Sequence, residues 1–148
     1  MEIIELLAPE ATVCVAPELS KKRVLELISS LASERCPSLP KHELFESLLV
    51  REKVGSTGIG KGIALPHGRL TRITQPIAVL IKCDCPIEFD AIDQQPVDLL
   101  FALFVPEADH QQYLSVLAQV ASKLSQKDIC RAMRKASDNQ QLYQLATQ

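Results

Sequence analysis

Apolar residues recur in this chain at helical spacing near both ends and as unbroken or alternating runs in the middle. Residues 3–7 predict a short helix and Ala11–Val15 a short strand. Ser20 predicts a helix N-cap, with Leu19 before it and Val24 after it placed as a hydrophobic staple. Val24, Leu25, Leu27, Ile28 and Leu31 then carry that helix to about residue 34. Two prolines make Cys36–Pro40 a loop. A second helix is expected from Lys41 to about Lys53, burying Leu44, Phe45, Leu48 and Leu49, with His42 solvated in its first turn and Arg51 near its end. Ile63-Ala64-Leu65 predicts a short strand leading to His67. Ile77–Ile81, rich in branched residues, predicts a strand through about Cys83, and Ile87–Phe89 an edge strand. Asp90–Pro96 is turn material. Val97–Val105 is apolar on both faces apart from Asp98, as expected of a strand covered on both sides, and Pro106 stops it. Asp109 is expected to cap a third helix, with Gln112 in capping-box position and Tyr113, Leu114, Val116, Leu117, Val120 and Leu124 as its stripe. Ser125 and Ser137 should open two further short helices, the second with Gln140 in capping-box position, and Leu142 and Leu145 should close the core. Helices separate the strands, so the expected class is α/β: a single domain over residues 1–148, with a mixed β-sheet covered by helices on both faces.

Composition adds limits. The chain has 148 residues, 47% hydrophobic and 23% charged, enough to bury a core, and its net charge of −2 gives no global sign of nucleic-acid binding. The N-terminus lacks the basic and apolar regions of a signal peptide. The longest apolar run, Leu99–Val105, is seven residues, far short of a membrane span. The expectation is a soluble, cytoplasmic protein. Five cysteines, an odd and irregularly spaced set, point to reduced thiols. Cys83-Asp84-Cys85 is a weak metal signal without a second cluster, and alternating strand positions beside a turn explain it better. Neither a metal nor a cofactor is expected.

All five glycines fall within residues 55–68, a stretch that ends in Pro66-His67-Gly68. Glycine admits backbone angles closed to other residues and lets another group approach the main chain, while proline stiffens the segment before the histidine. Gly55, four residues, Gly60 and Lys61 match the start of a nucleotide-binding P-loop. Residue 62, however, is glycine, so no hydroxyl is present for magnesium, and a helix rather than a strand precedes the loop. Amide groups of Gly55, Ser56, Thr57, Gly58 and Gly60 remain candidates for holding a phosphate. From Arg51 to Arg72 there are five basic residues and one acidic, an excess of four positive charges. Arginine's planar fork suits phosphate oxygens, which singles out Arg51. A histidine that is largely uncharged at neutral pH, set among anion-binding groups, suits phosphoryl transfer. On these residues His67 is a candidate phosphoryl acceptor.

The segment Arg51–Gly68 closely resembles the active-site motif of IIA domains of the bacterial phosphotransferase system, fructose/mannitol class. Pro86–Pro106 resembles the stand-alone nitrogen-regulatory branch of that class. The likeness spans about residues 5–145. It implies a single α/β domain in which His67 takes a phosphoryl group from a histidine phosphocarrier protein and Arg51 steadies the phosphorylated state. It also implies regulation of targets in nitrogen and potassium metabolism, such as potassium-transport or sensor-kinase proteins. The alternatives are a sugar-specific IIA component that passes phosphate to a transporter IIB domain, or a non-catalytic binding module. Members of the class often carry a second active-site histidine where Tyr113 stands here. Either His110, three residues earlier on the same helical face, or the tyrosine hydroxyl takes that auxiliary place, or the role is absent.

Overall fold

The computed structural model describes residues 2–148. Its strands gather into one mixed six-stranded sheet. The chain runs α1 (Ile3–Leu6), β1 (Thr12–Val15), α2 (Lys21–Arg35), α3 (Lys41–Val54), β2 (Gly58–Gly60), β3 (Ile63–Ala64), β4 (His67–Leu70), β5 (Ile77–Ile87), β6 (Val97–Pro106), α4 (His110–Leu124), α5 (Lys127–Arg134) and α6 (Asn139–Thr147). Across the sheet the order is β1-β5-β6-β3-β2. β5 and β6 are antiparallel, β1 joins β5 in parallel, and β3 and then β4 run parallel to β6 along its other edge.

Side chains alternate across the pleat, so one apolar strand feeds two cores. Val79, Ile81, Leu100, Ala102 and Phe104 face α2 and α3. Ala78, Leu80, Leu99, Phe101, Leu103 and Val105 face α4, α5 and α6. That two-sided cover is why Val97–Val105 reads as a continuous apolar run. Asp98, its polar exception, accepts from Arg134 Nε at 3.0 and 2.9 Å.

Several expectations are corrected by tertiary contacts. β5 continues to Ile87, so no separate strand covers Ile87–Phe89, and its pairing with β6 shifts register between Lys82 and Ile87. Cys83-Asp84-Cys85 therefore lies inside the strand rather than beside a turn, and Phe89 is a core residue beyond the strand's end. His67 does not trail β3 but begins a strand of its own. Asp109 ends a 3-10 turn, Glu107–Asp109, and makes no side-chain cap. Ser125 closes α4 by donating to Ala121 O at 2.7 Å instead of opening α5. Asp138, not Ser137, caps α6 by accepting from Gln141 N at 2.8 Å, and Gln141 rather than Gln140 reaches back to Ser137 N. Leu114 is exposed. The Ser20 cap accepts from Arg23 N at 3.1 Å as its sequence context predicts. Among the described residues no helix is long and apolar enough to cross a membrane. No group of three or more His, Cys, Asp or Glu gathers there in a metal-binding arrangement.

Candidate functional site

His67 opens β4, opposite Leu103 of β6. α3 lies across it at close range. A methyl group on Gly68 would sit 2.7 Å from Ser47 Cβ and 3.0 Å from the Ser47 carbonyl carbon, so only glycine lets the helix rest on this strand. One turn beyond Ser47 on the same helix face is Arg51. The contact at Gly68 thus sets the guanidinium beside the imidazole.

The imidazole is held at both nitrogens. Nδ1 lies 2.9 Å from Leu65 O, and Arg51 Nε donates to Nε2 at 3.2 Å. The Leu65 carbonyl can only accept and Arg51 can only donate, which fixes the tautomer: the proton is on Nδ1 and the lone pair on Nε2. Arg51 is held in turn by Gly55 O, 2.7 Å from Nη1, and pairs with no carboxylate among the described residues. Burial lowers the His67 pKa below the usual histidine value. The bond to Leu65 O opposes this shift, the positive charge of Arg51 adds to it, Glu52 opposes and Arg69 adds. The ring is therefore uncharged at neutral pH, with its nucleophilic nitrogen turned toward a cation.

His67 lines a cavity of about 420 Å³ together with Arg51, Arg69, Glu107, His110 and Tyr113. Arg69 follows His67 by two residues on one strand and so shares its face. Strand alternation in the sequence carries that signal, although Arg69 was expected only as one of several local charges. His110 and Tyr113 both reach the cavity from the start of α4; Tyr113 is buried, and His110 Nδ1 lies 3.4 Å from Glu107 O. Val50, Val54 and Leu114 form part of the wall and are exposed.

The glycine loop itself stands apart. Gly55, Ser56, Thr57, Gly58 and Gly60 do not line this cavity. The amides of Gly55, Thr57 and Gly58 and the hydroxyls of Ser56 and Thr57 are committed within the fold. Glu52, which pairs with Lys21 at 2.9 Å, accepts from Thr57 N at 3.2 Å and from the Thr57 hydroxyl. Ser56 Oγ accepts from Gly58 N at 3.0 Å and donates to Phe89 O at 2.9 Å, and Gly55 N donates to Glu52 O at 3.2 Å. A methyl on Gly58 would meet Ala91 Cβ at 2.7 Å, so that glycine serves packing. Gly60, Lys61 and Gly62 turn the chain with φ of 100°, 60° and 80°. Folding also disperses the local charge: Arg72 pairs with Glu43 at 2.6 Å, and Lys61 lines a different hollow. Sequence reasoning missed Glu52 as the anchor of the loop, having counted it only as a charge to subtract.

A family model described as "Phosphoenolpyruvate-dependent sugar phosphotransferase system, EIIA 2" matches residues 5–148. A nitrogen regulatory protein of Escherichia coli (strain K12) is 52% identical over 129 residues, covering 86% of this chain and 78% of that one. A nitrogen regulatory protein of Pseudomonas aeruginosa is 43% identical over 141 residues, covering 95% and 92%. The crystal structure of nitrogen regulatory protein IIA-Ntr from Neisseria meningitidis superposes with a TM-score of 0.89 at 39% identity, covering 98% of this chain and 99% of that one.

Proposed function

The chain belongs to the phosphoenolpyruvate-dependent sugar phosphotransferase system EIIA 2 family, and from that membership we propose that it takes a phosphoryl group onto Nε2 of His67 from a histidine phosphocarrier protein and regulates target proteins by its phosphorylation state. The relatives named nitrogen regulatory proteins favour the regulatory reading over sugar-specific phosphate delivery. The resemblance to the nitrogen-regulatory branch implies targets such as potassium-transport or sensor-kinase proteins.

One observation carries the proposal: the Nε2 lone pair, with the proton parked on Nδ1 against Leu65 O, faces the Arg51 guanidinium at 3.2 Å. In the reaction a bond forms between Nε2 and phosphorus as the bond from phosphorus to the donor's nitrogen breaks, and the electron pair of that bond leaves with the donor. The His67 ring gains positive charge, which Leu65 O stabilises through Nδ1–H. Arg51, displaced from Nε2, is close enough to turn its N–H groups to the phosphoryl oxygens, the arrangement in which charge-assisted bonds contribute most. Arg69 adds positive charge on the same face, and Tyr113 and His110 are the cavity's further donors. The glycine loop acts as the support of this site: it lies outside the cavity, and the amides of Gly55, Thr57 and Gly58 are already bonded, which leaves the phosphate to side chains. Exposed Val50, Val54 and Leu114 give a phosphocarrier an apolar rim to dock on.

The test is phosphorylation from phosphoenolpyruvate through the two general upstream proteins. Wild type should take up label that acid removes and alkali leaves, as a phosphohistidine does, and His67→Ala should take up none. Label that survives in the alanine variant, or that resists acid, sinks the proposal.

A further inference from the structure

Away from His67, where the β2–β3 turn meets α5, the fold gathers positive charge around a hollow of about 330 Å³. Lys61, Lys127, Arg131, Arg134 and Lys135 line it, and no carboxylate does. That is five of the sixteen basic residues, in a chain whose net charge is −2. Only Arg134 has a carboxylate partner, Asp98; the other four pair with none among the described residues. Lys127, Arg131 and Lys135 follow one another at four-residue spacing, an arrangement in which like charges repel and destabilise a helix. Asp128 in the first turn and the helix C-terminus beside Arg131 and Arg134 offset part of that repulsion, and a bound anion would offset the rest.

Arg134 is already set in place. Asp98 fixes its Nε, and its Nη2 donates to Lys61 O at 2.6 Å. Lys61 is in turn held by Asp93 through its amide at 3.0 Å, in a left-handed turn with φ 60°. The Arg134 guanidinium and the Lys61 backbone are therefore fixed on either side of a concave space, around which the exposed Lys127, Arg131 and Lys135 stand. Leu124 and Cys130 supply an apolar floor; both are buried, and burial also raises the Cys130 pKa, so its thiol stays neutral and cancels none of the charge.

We propose that this hollow is a second anion site, separate from the His67 cavity, which binds a small ligand through a diphosphate group. The concave form and a volume within the range of small-molecule pockets favour a compact ligand over an extended polymer. The open fork of Arg131 and three lysines, beside an Arg134 whose Nε and Nη2 are already engaged, match the several oxygens of linked phosphates better than a single carboxylate.

The experiment is calorimetric titration of the full chain with inorganic pyrophosphate and, in a second arm, with ADP, at fixed ionic strength. Saturable one-to-one binding is expected in at least the ADP arm. Pyrophosphate binding as tightly as ADP means the phosphates supply the affinity; ADP binding more tightly places the nucleoside on Leu124 and Cys130. Arg131→Gln/Lys135→Gln should weaken binding at least about tenfold, given the strength of charge-assisted bonds, with an unchanged far-UV circular dichroism spectrum. Lys127→Gln, at an exposed position, should weaken it in the same direction. His67→Ala should bind as wild type does. The proposal is overturned if neither ligand saturates, if the double variant binds equally well, or if His67→Ala abolishes binding. It is also overturned if a single-stranded RNA oligonucleotide binds while neither phosphate ligand does.

Discussion

His67 has one nitrogen committed to a carbonyl and one that keeps its lone pair, turned toward Arg51, and in the proposed transfer the protonation of that second nitrogen decides whether it can react. Because burial lowers its pKa below the ordinary value of about 6.5, the reactive neutral ring should persist at mildly acid pH. Single-turnover phosphorylation should rise with pH only up to that lowered pKa and be flat through neutrality; a rate still climbing above pH 7 would contradict the assignment. The same shift bears on stability. Between the lowered pKa and about 6.5 the unfolded chain binds the proton and the folded chain does not, so stability rises with pH across that window and falls as the medium is acidified through it. Arg51 is tested at the same scale. Arg51→Lys keeps the charge but loses the fork and the Nε contact, so phosphoryl transfer should slow roughly ten- to a hundredfold, about 1.5–3 kcal/mol of barrier. A lysine variant as fast as wild type would reduce Arg51 to a surface charge.

Between residues and whole fold, the decisive pair is α3 on β4. Gly68 is the point of closest approach, with Ser47 directly above it. Gly68→Ala must push the helix outward, because the Ser47 backbone itself is in the way and not only a movable side chain. Overpacking of this kind costs about 1–3 kcal/mol, measured as a lower urea midpoint with an unchanged slope. The outward shift also separates Arg51 from His67, so transfer should fall further than Arg51→Lys alone lowers it. An alanine variant with wild-type stability and rate would mean that the helix position is not fixed here.

The sheet holds two cores in register, and β6 belongs to both. Phe104 packs toward α2 and α3, and Phe101 toward α4, α5 and α6. Phe104→Ala and Phe101→Ala should each cost about 3–5 kcal/mol, a large part of the usual 5–15 kcal/mol of a domain. Since one strand carries both side chains, either loss should lower a single unfolding transition, with circular dichroism and hydrogen exchange on the two faces changing together. Two separable transitions would mean that the faces fold independently.

Burial pattern and backbone stiffness are local properties, and the features that depend on them were legible in the sequence alone. The unbroken apolar run of Val97–Val105 marked a doubly covered strand, Leu44, Phe45, Leu48 and Leu49 marked the inner face of α3, Ser20 marked a helix start, and the α/β class came from their order. The glycine-rich segment pointed to His67 because no other stretch combines such backbone with a histidine. Features that depend on which of several competing partners, near or distant, the packed fold selects could not be read there. That the amides of Thr57 and Gly58 are taken by Glu52 and Ser56 depends on how α3 meets the loop. That Ser125 ends one helix and Asp138 begins another depends on which carbonyls and amides the packed helices leave open. The merging of Ile87 into β5 required the pairing with Val97 across a register shift. The local excess of positive charge was visible as a sum, but its division between the His67 cavity, the Glu43 pair and the hollow beside α5 was decided by folding, because charges act through distance in space and not along the chain.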